Sequence, residues 1–333
     1  MNVGHLERLL GWMNAQGFSR FFIGRPENFA WLTGGQNTLG MGEAVAYLEV
    51  GERLILHTSR IEDPRIAEEE APSLPTRVYP WYAFPSIPTP NDLEHDLTPL
   101  RLILSPKAQE SFKLLGQATA QAVGEVVRSA KPSWHENQLA GALAEALWSY
   151  GVRPLLLLVA GEERLFRHRH PLPKDRPLGR AFMAVVCGES GGLVANLTRM
   201  VCLGHQEVED RYSKVLRVEQ VALDRSRPGT RLGEVLAALQ EAYEKVGFPT
   251  ALEEHHQGGI GGYRSREVVA IPGHPLQIQE GMALAWNPSL AGAKVEDTFL
   301  LTSHGLVNLT EDPKWPMVEV GGRKRPDLWR GGW

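Results

Sequence analysis

A chain of 333 residues with 43% apolar and 22% charged residues has the composition of an ordinary soluble globular protein and the length of two domains. A formal net charge of −4 excludes the strongly basic face that nucleic-acid binding needs, and no stretch approaches the ~20 apolar residues of a membrane span. The opening MNVGHLERLLGW lacks a basic segment followed by a long apolar run, so a cytoplasmic protein is expected, with Cys187 and Cys202 as buried reduced thiols rather than a disulfide framework.

An amphipathic helix is predicted over residues 5–16. Apolar runs follow at 21–23, 44–50 and 54–57, then a short helix over 60–70 and a closing apolar run at 100–104. This alternation is of α/β type. The Pro-rich loop 81–92, with aromatics interleaved, reads as a rigid surface loop, with a partner-binding segment as the alternative. From Ser105 the texture changes to long helices. One is predicted over 106–130, and a second opens at a capping box, Ser133-Trp134-His135-Glu136, and closes before Gly151. A boundary near residue 105 is expected, giving domains 1–105 and 106–333. Strands are predicted at 155–159, 181–186, 193–202, 282–286 and 298–301, with helices near 206–224 and 232–246. Segments 106–204 and 205–302 each hold a helix pair and strands, which suggests an internal duplication.

Five segments stand in an informative order. Asn28-Phe29-Ala30-Trp31-Leu32-Thr33-Gly34 fits an Asn-x-x-x-Leu-Thr-Gly strand. RHRHPLPKDR (167–176), VVCGESGGLVANLTR (185–199), HHQGGIGGYRSRE (255–267) and EGMALAWNPSLAGAKVED (280–297) follow. Together they resemble the signature strips of the pita-bread superfamily of prolidase (Xaa-Pro dipeptidase), aminopeptidase P and creatinase. The resemblance implies an α+β chain: a C-terminal pita-bread fold preceded by a smaller α/β creatinase-type N-terminal domain, with homodimerisation. It places His170 at the family's active-site histidine, His255 at the first histidine of the third strip and Arg266 at a later substrate-contacting histidine. The five metal-ligand positions hold Val185, Asn196, Gly259, Asn287 and Glu296, of which only Glu296 retains the family residue.

Paired Mn²⁺ or Co²⁺ ions need several anionic oxygens to offset their charge; two amides and one carboxylate do not supply them, and Val185 and Gly259 offer no side-chain donor. No cofactor is therefore expected. A polar set remains around the cleft: His170, Asn196, Arg199, His255, His256, Gln257, Arg266, Asn287, Lys294, Glu296 and Asp297. The preferred reading is metal-independent hydrolysis of an amide or amidine C–N bond in the creatinase style. His170 would move the proton, His255 and Glu296 would complete the catalytic group, and Asn196, Arg199, His256, Arg266, Asn287 and Lys294 would bind substrate, with Arg266 as a carboxylate clamp. The alternatives are a non-catalytic protein that binds a small molecule or short peptide, since buried polar networks are common without catalysis; a weak metal-dependent Xaa-Pro peptidase; and a single metal held by His168-x-His170 with His255 and His256.

Overall fold

A computed structural model describes residues 2–35 and 45–331, which fall into two units, Met1–Leu102 and Ile103–Trp333.

In the first unit helix α1 (Val3–Gln16) is capped by Asn2, whose Oδ1 accepts from the His5 amide, and buries His5, Leu9 and Met13 at four-residue intervals. Strand β1 (Phe21–Ile23) leads to helix α2 (Pro26–Thr33). The strand expected from the Asn-x-x-x-Leu-Thr-Gly segment is thus a helix. Pro26 occupies its first turn, where no amide donor is needed, and Asn28, Phe29, Ala30, Trp31 and Leu32 are buried in its middle. Asn28 serves the fold: its Nδ2 donates to Asp92 Oδ2 (2.8 Å), while the same carboxylate accepts from the amides of Gly24 and Arg25.

Strands β2 (Ala46–Val50) and β3 (Leu54–Ser59) extend the sheet antiparallel. Ala44, where the predicted run begins, lies outside the described residues. The expected helix over 60–70 is broken into α3 (Asp63–Arg65) and a π-helical turn (Ile66–Glu70), and β4 (Thr76–Tyr79), which the sequence reading lacked, pairs parallel to β3. The run at 100–104 is no strand; Thr98–Arg101 forms the helical turn α4. In the Pro-rich loop Trp81 and Tyr82 are exposed.

The second unit opens with α5 (Pro106–Ser129), whose N-cap Ser105 accepts from the Ala108 amide, with Pro106 in the first turn. Phe112, Leu115, Val123 and Val127 fill its buried face; each contributes about 1.5–3 kcal/mol on leaving water. Helix α6 (Glu136–Ser149) is capped by His135 with Gln138 completing the box, not by Ser133. Strands β5 (Arg153–Ala160), β6 (Ala181–Ser190) and β7 (Leu193–Cys202), with the turn α7 (Glu162–Leu165) after β5, form an antiparallel sheet in the order β5-β6-β7. All ten residues of β7 are buried, the polar Asn196, Thr198 and Arg199 along with its apolar residues.

The same plan recurs. Helices α8 (Gln206–Arg225) and α9 (Leu232–Lys245) are followed by the turn α10 (Ala251–Glu254), then β8 (Gly258–Gly261), β9 (Val268–Val269) and β10 (Ala283–Trp286). The short hairpin β11 (Ser289–Leu290) and β12 (Ala293–Lys294) precedes β13 (Asp297–Thr302) and β14 (Gly305–Asn308). Their sheet runs β14-β13-β10-β8-β9, and a final hairpin, β15 (Met317–Val320) and β16 (Arg323–Pro326), closes the unit. Two helix pairs, each packed with an antiparallel sheet, make the pita-bread arrangement. The halves are stitched where the Thr198 amide donates to the Glu296 carbonyl (3.0 Å) and the Asn196 amide to Thr298 Oγ1 (2.8 Å). Cys187 and Cys202 are buried and free. Among the described residues no helix is long and apolar enough to cross a membrane.

Candidate functional site

At the seam between the two halves sits Glu296, with 3% exposure. Its Oε1 accepts from Arg266 Nη2 (2.7 Å); its Oε2 accepts from Thr198 Oγ1 (3.0 Å) and lies 3.3 Å from Lys294 Nζ. Burial alone would raise its pKa, but Lys294 and Arg266 outweigh that and hold it at about 2. Two side-chain cations thus neutralise this buried carboxylate.

Asn196 lies on β7 two residues from Thr198, hence on the same face. Its Oδ1 accepts from Ser265 Oγ (2.7 Å), and its Nδ2 donates to the Val194 and Ser265 carbonyls. Val185 pairs with Thr198 across the hairpin and presents only methyl groups there. Asn287 is buried, and its Oδ1 has no hydrogen-bond partner among the described residues; Arg266 Nε and His255 Nδ1 share that condition.

At Gly259 the backbone leaves no room for a side chain. The residue stands at φ +151, and a Cβ there would lie 2.1 Å from the Val268 carbonyl oxygen; at Gly258, φ +111, a Cβ would lie 2.1 Å from the Ala285 carbonyl oxygen. The neighbouring strands β9 and β10 occupy the space a side chain would need. The donors at this position therefore do not fit a pair of metal ions: a methyl-bearing side chain, a glycine closed in by backbone, two amides, and a carboxylate already committed to two cations.

A second group gathers at α10 and the loop before β6. His170 Nε2 and His255 Nε2 are 3.1 Å apart, and His255 stacks on His256 with centroids 4.6 Å apart. Gln257 supports His255 by donating to its carbonyl and accepting from Tyr243 Oη (2.7 Å). An ion pair between Arg169 and Glu254 ties the His170 loop to α10. All three imidazoles are held below their ordinary value, first by burial. For His170 and His255 Lys294 adds to the effect, and for His256 Arg266 and then Lys294 do, bringing it to about 4. They open into a cavity of about 510 Å³ whose walls include Leu236, Leu252, Val269, Ile271 and Pro272.

The structure does not bring every predicted residue here. Arg199 is 2% exposed and pairs with Asp297 (2.9 Å), which also accepts from Arg325 (2.8 Å); Arg325 in turn grips Glu219 on α8. Arg199 and Asp297 thus belong to a buried ion network, because alternation along β13 turns Asp297 to the opposite face from Glu296. Arg266, expected as a clamp for a substrate carboxylate, has Nη2 on Glu296 and Nη1 on the Ser265 carbonyl. His168 lines a separate basic cavity with Arg167 and Lys174 and does not join His170. Sequence reasoning missed Ser265, Thr198 and Tyr243. Of these, Thr198 was accessible from its two-residue spacing to Asn196, whereas Tyr243 reaches the site only through the packing of α9.

Comparison with known proteins accords with this architecture. Residues 5–96 match the model of the creatinase/prolidase N-terminal domain, and residues 110–303, more than half the chain, match that of metallopeptidase family M24. The Xaa-Pro dipeptidase of Pyrococcus furiosus is 26% identical over 164 residues, 43% of this chain and 45% of that one, and a relative from Bacillus subtilis is 28% identical over 108 residues, 31% of this chain and 30% of that one. The chain thus aligns with less than half the length of either relative. Among solved structures, the prolidase from Pyrococcus horikoshii OT3 superposes with a TM-score of 0.78 at 17% identity, covering 92% of this chain and 98% of that one. The N-terminal domain of FACT complex subunit SPT16 from chickpea superposes with a TM-score of 0.69 at 11% identity, covering 92% and 95%. With the family model matched over both helix-and-sheet halves that carry the site, the chain belongs to metallopeptidase family M24, as a relative of the Xaa-Pro dipeptidases with a creatinase/prolidase-type N-terminal domain.

Proposed function

We propose that the second unit is a metal-independent C–N hydrolase acting on an amide or amidine bond of a small molecule or short peptide, with His170 as the proton carrier. The observation that supports this most is the His170–His255 pair, set in a cavity near a carboxylate that Arg266 and Lys294 already neutralise. An imidazole held below its ordinary value is unprotonated at neutral pH. It can take a proton from water as the water oxygen attacks the substrate carbon, then deliver that proton to the departing nitrogen. The apolar walls of the cavity suit a substrate with an apolar flank. No Mn²⁺ or Co²⁺ pair takes part in this reading.

A second reading is favoured by one observation: the polar seam around Glu296 is internally satisfied to a large degree, as in a binding protein that retains an enzyme fold. Chelator-treated protein assayed against amide and amidine substrates separates the two. Turnover that disappears in His170→Ala supports hydrolysis; turnover that is unchanged in that variant removes His170 from the mechanism, and dependence on added Mn²⁺ or Co²⁺ refutes the metal-independent reading. Cytoplasmic location and homodimeric assembly belong to the same proposal, tested by cell fractionation and size-exclusion chromatography with light scattering.

A further inference from the structure

Three imidazoles converge beside the cavity. His170, His255 and His256 each bring a ring nitrogen within 4.8 Å of the other two. The Nε2 atoms of His170 and His255 are 3.1 Å apart. A tetrahedral Zn²⁺ with Zn–N bonds of about 2.0–2.1 Å sets its ligand nitrogens roughly 3.3 Å apart, so this pair already has nearly the spacing of two ligands of one ion. His256 is exposed and stacked on His255 at an interplanar angle of 20°, with its ring nitrogen within 4.8 Å of those of both partners.

We propose that His170, His255 and His256 form a mononuclear site for a borderline transition-metal ion such as Zn²⁺, Ni²⁺ or Cu²⁺. The ligand chemistry sets the selectivity. Neutral imidazole suits these ions, whereas Mn²⁺ and Mg²⁺ prefer carboxylate and water oxygens. Lys294 opposes a divalent ion, but its charge is shared with Glu296, and Glu253 adds a carboxylate to the cavity wall. Ion binding also has a consequence that rests on the proposed role of His170. An ion held through its ring nitrogen occupies the lone pair needed for proton transfer, so Zn²⁺ inhibits this protein where paired metals would activate a relative.

The test is calorimetric titration of the purified, chelator-treated chain with ZnCl₂ and separately with MnCl₂, alongside CoCl₂ titration followed by visible absorption. The expected result is one Zn²⁺ per chain, Co²⁺ absorption of the tetrahedral type, no Mn²⁺ binding, and at least about a tenfold loss of Zn²⁺ affinity in His255→Ala and His256→Gln. His256 is exposed, so its variant keeps the test decisive where the buried His255 variant fails to fold. Absence of Zn²⁺ binding, or affinity unchanged in both His256→Gln and His170→Gln, overturns the site. Turnover by the metal-free chain is read separately: its absence sinks the hydrolytic reading and leaves the Zn²⁺ stoichiometry standing.

Discussion

Arg266 donates from Nη2 to Oε1 of Glu296 across 2.7 Å, with both side chains less than a tenth exposed. With Lys294 on the other carboxylate oxygen, this contact sets two fixed cations around one buried carboxylate, and the charge is part of the fold. Glu296→Gln would leave two buried cations without their counter-charge, and removing one partner of a buried pair costs about 3–5 kcal/mol. Urea unfolding measures it; a loss below about 1 kcal/mol, as for solvated pairs, would show that the cations are stabilised by water instead.

Restoring a histidine at position 259 is expected to fail. The new Cβ would meet the Val268 carbonyl oxygen at 2.1 Å with the backbone at φ +151, so Gly259→His loses at least about 2 kcal/mol through strain and displaced strands. Thermal denaturation together with the metal content of the variant checks this. A stable variant that gains Mn²⁺ would show that β8 can open to accept a side chain.

Stability falls in acid, with a sign fixed by the direction of the shifts. His255 and His256 sit below the ordinary 6.5 when folded, His256 at about 4, because burial first and neighbouring cations second disfavour their protonation. The unfolded chain takes up these protons near pH 6.5 and the folded chain does not, so the stabilisation is complete above 6.5 and is lost progressively below it. Glu296, at about 2 rather than 4.5, adds a further loss as pH falls from 4.5 to 2. The urea midpoint is expected to drop between pH 7.5 and 4.5, with a shallower slope in His255→Gln. A midpoint that rises over that range would reverse the assignment.

Arg325 holds α8 to β13 through Glu219 and Asp297. Arg325→Met leaves the buried Glu219 without its cation and is expected to cost about 3–5 kcal/mol, whereas the double change with Glu219→Leu recovers much of that loss, because Asp297 keeps Arg199 as its partner. Comparing the unfolding free energies of the single and double variants checks it; equal values would mean that the pair contributes packing rather than charge.

Asp92 gathers the amides of Gly24 and Arg25 and the side chain of Asn28. Asp92→Ala strands buried donors and is expected to destabilise the first unit by about 1–3 kcal/mol, visible as earlier loss of amide protection in residues 21–33 by hydrogen exchange.

The sequence by itself determined the long elements. Helices α5, α8 and α9 and strands β6 and β7 carry unbroken periodicity or apolar runs with caps at their ends, and such signals survive any tertiary setting. That Val185, Asn196, Gly259 and Asn287 carry neither a carboxylate nor an imidazole is visible letter by letter. Tertiary structure decided what the remaining polar residues do. Whether Arg199 faces the cleft or Asp297, whether Arg266 is free or spent on Glu296, and whether His170 meets His255 or His168 depends on strands and loops far apart in the chain. The helix over Pro26–Thr33 was likewise hidden, because an apolar run of eight residues fits a strand or a buried helix equally well until its packing is known. Local pattern fixes an element's period; only the assembled fold brings distant charges within the few ångströms over which they choose partners.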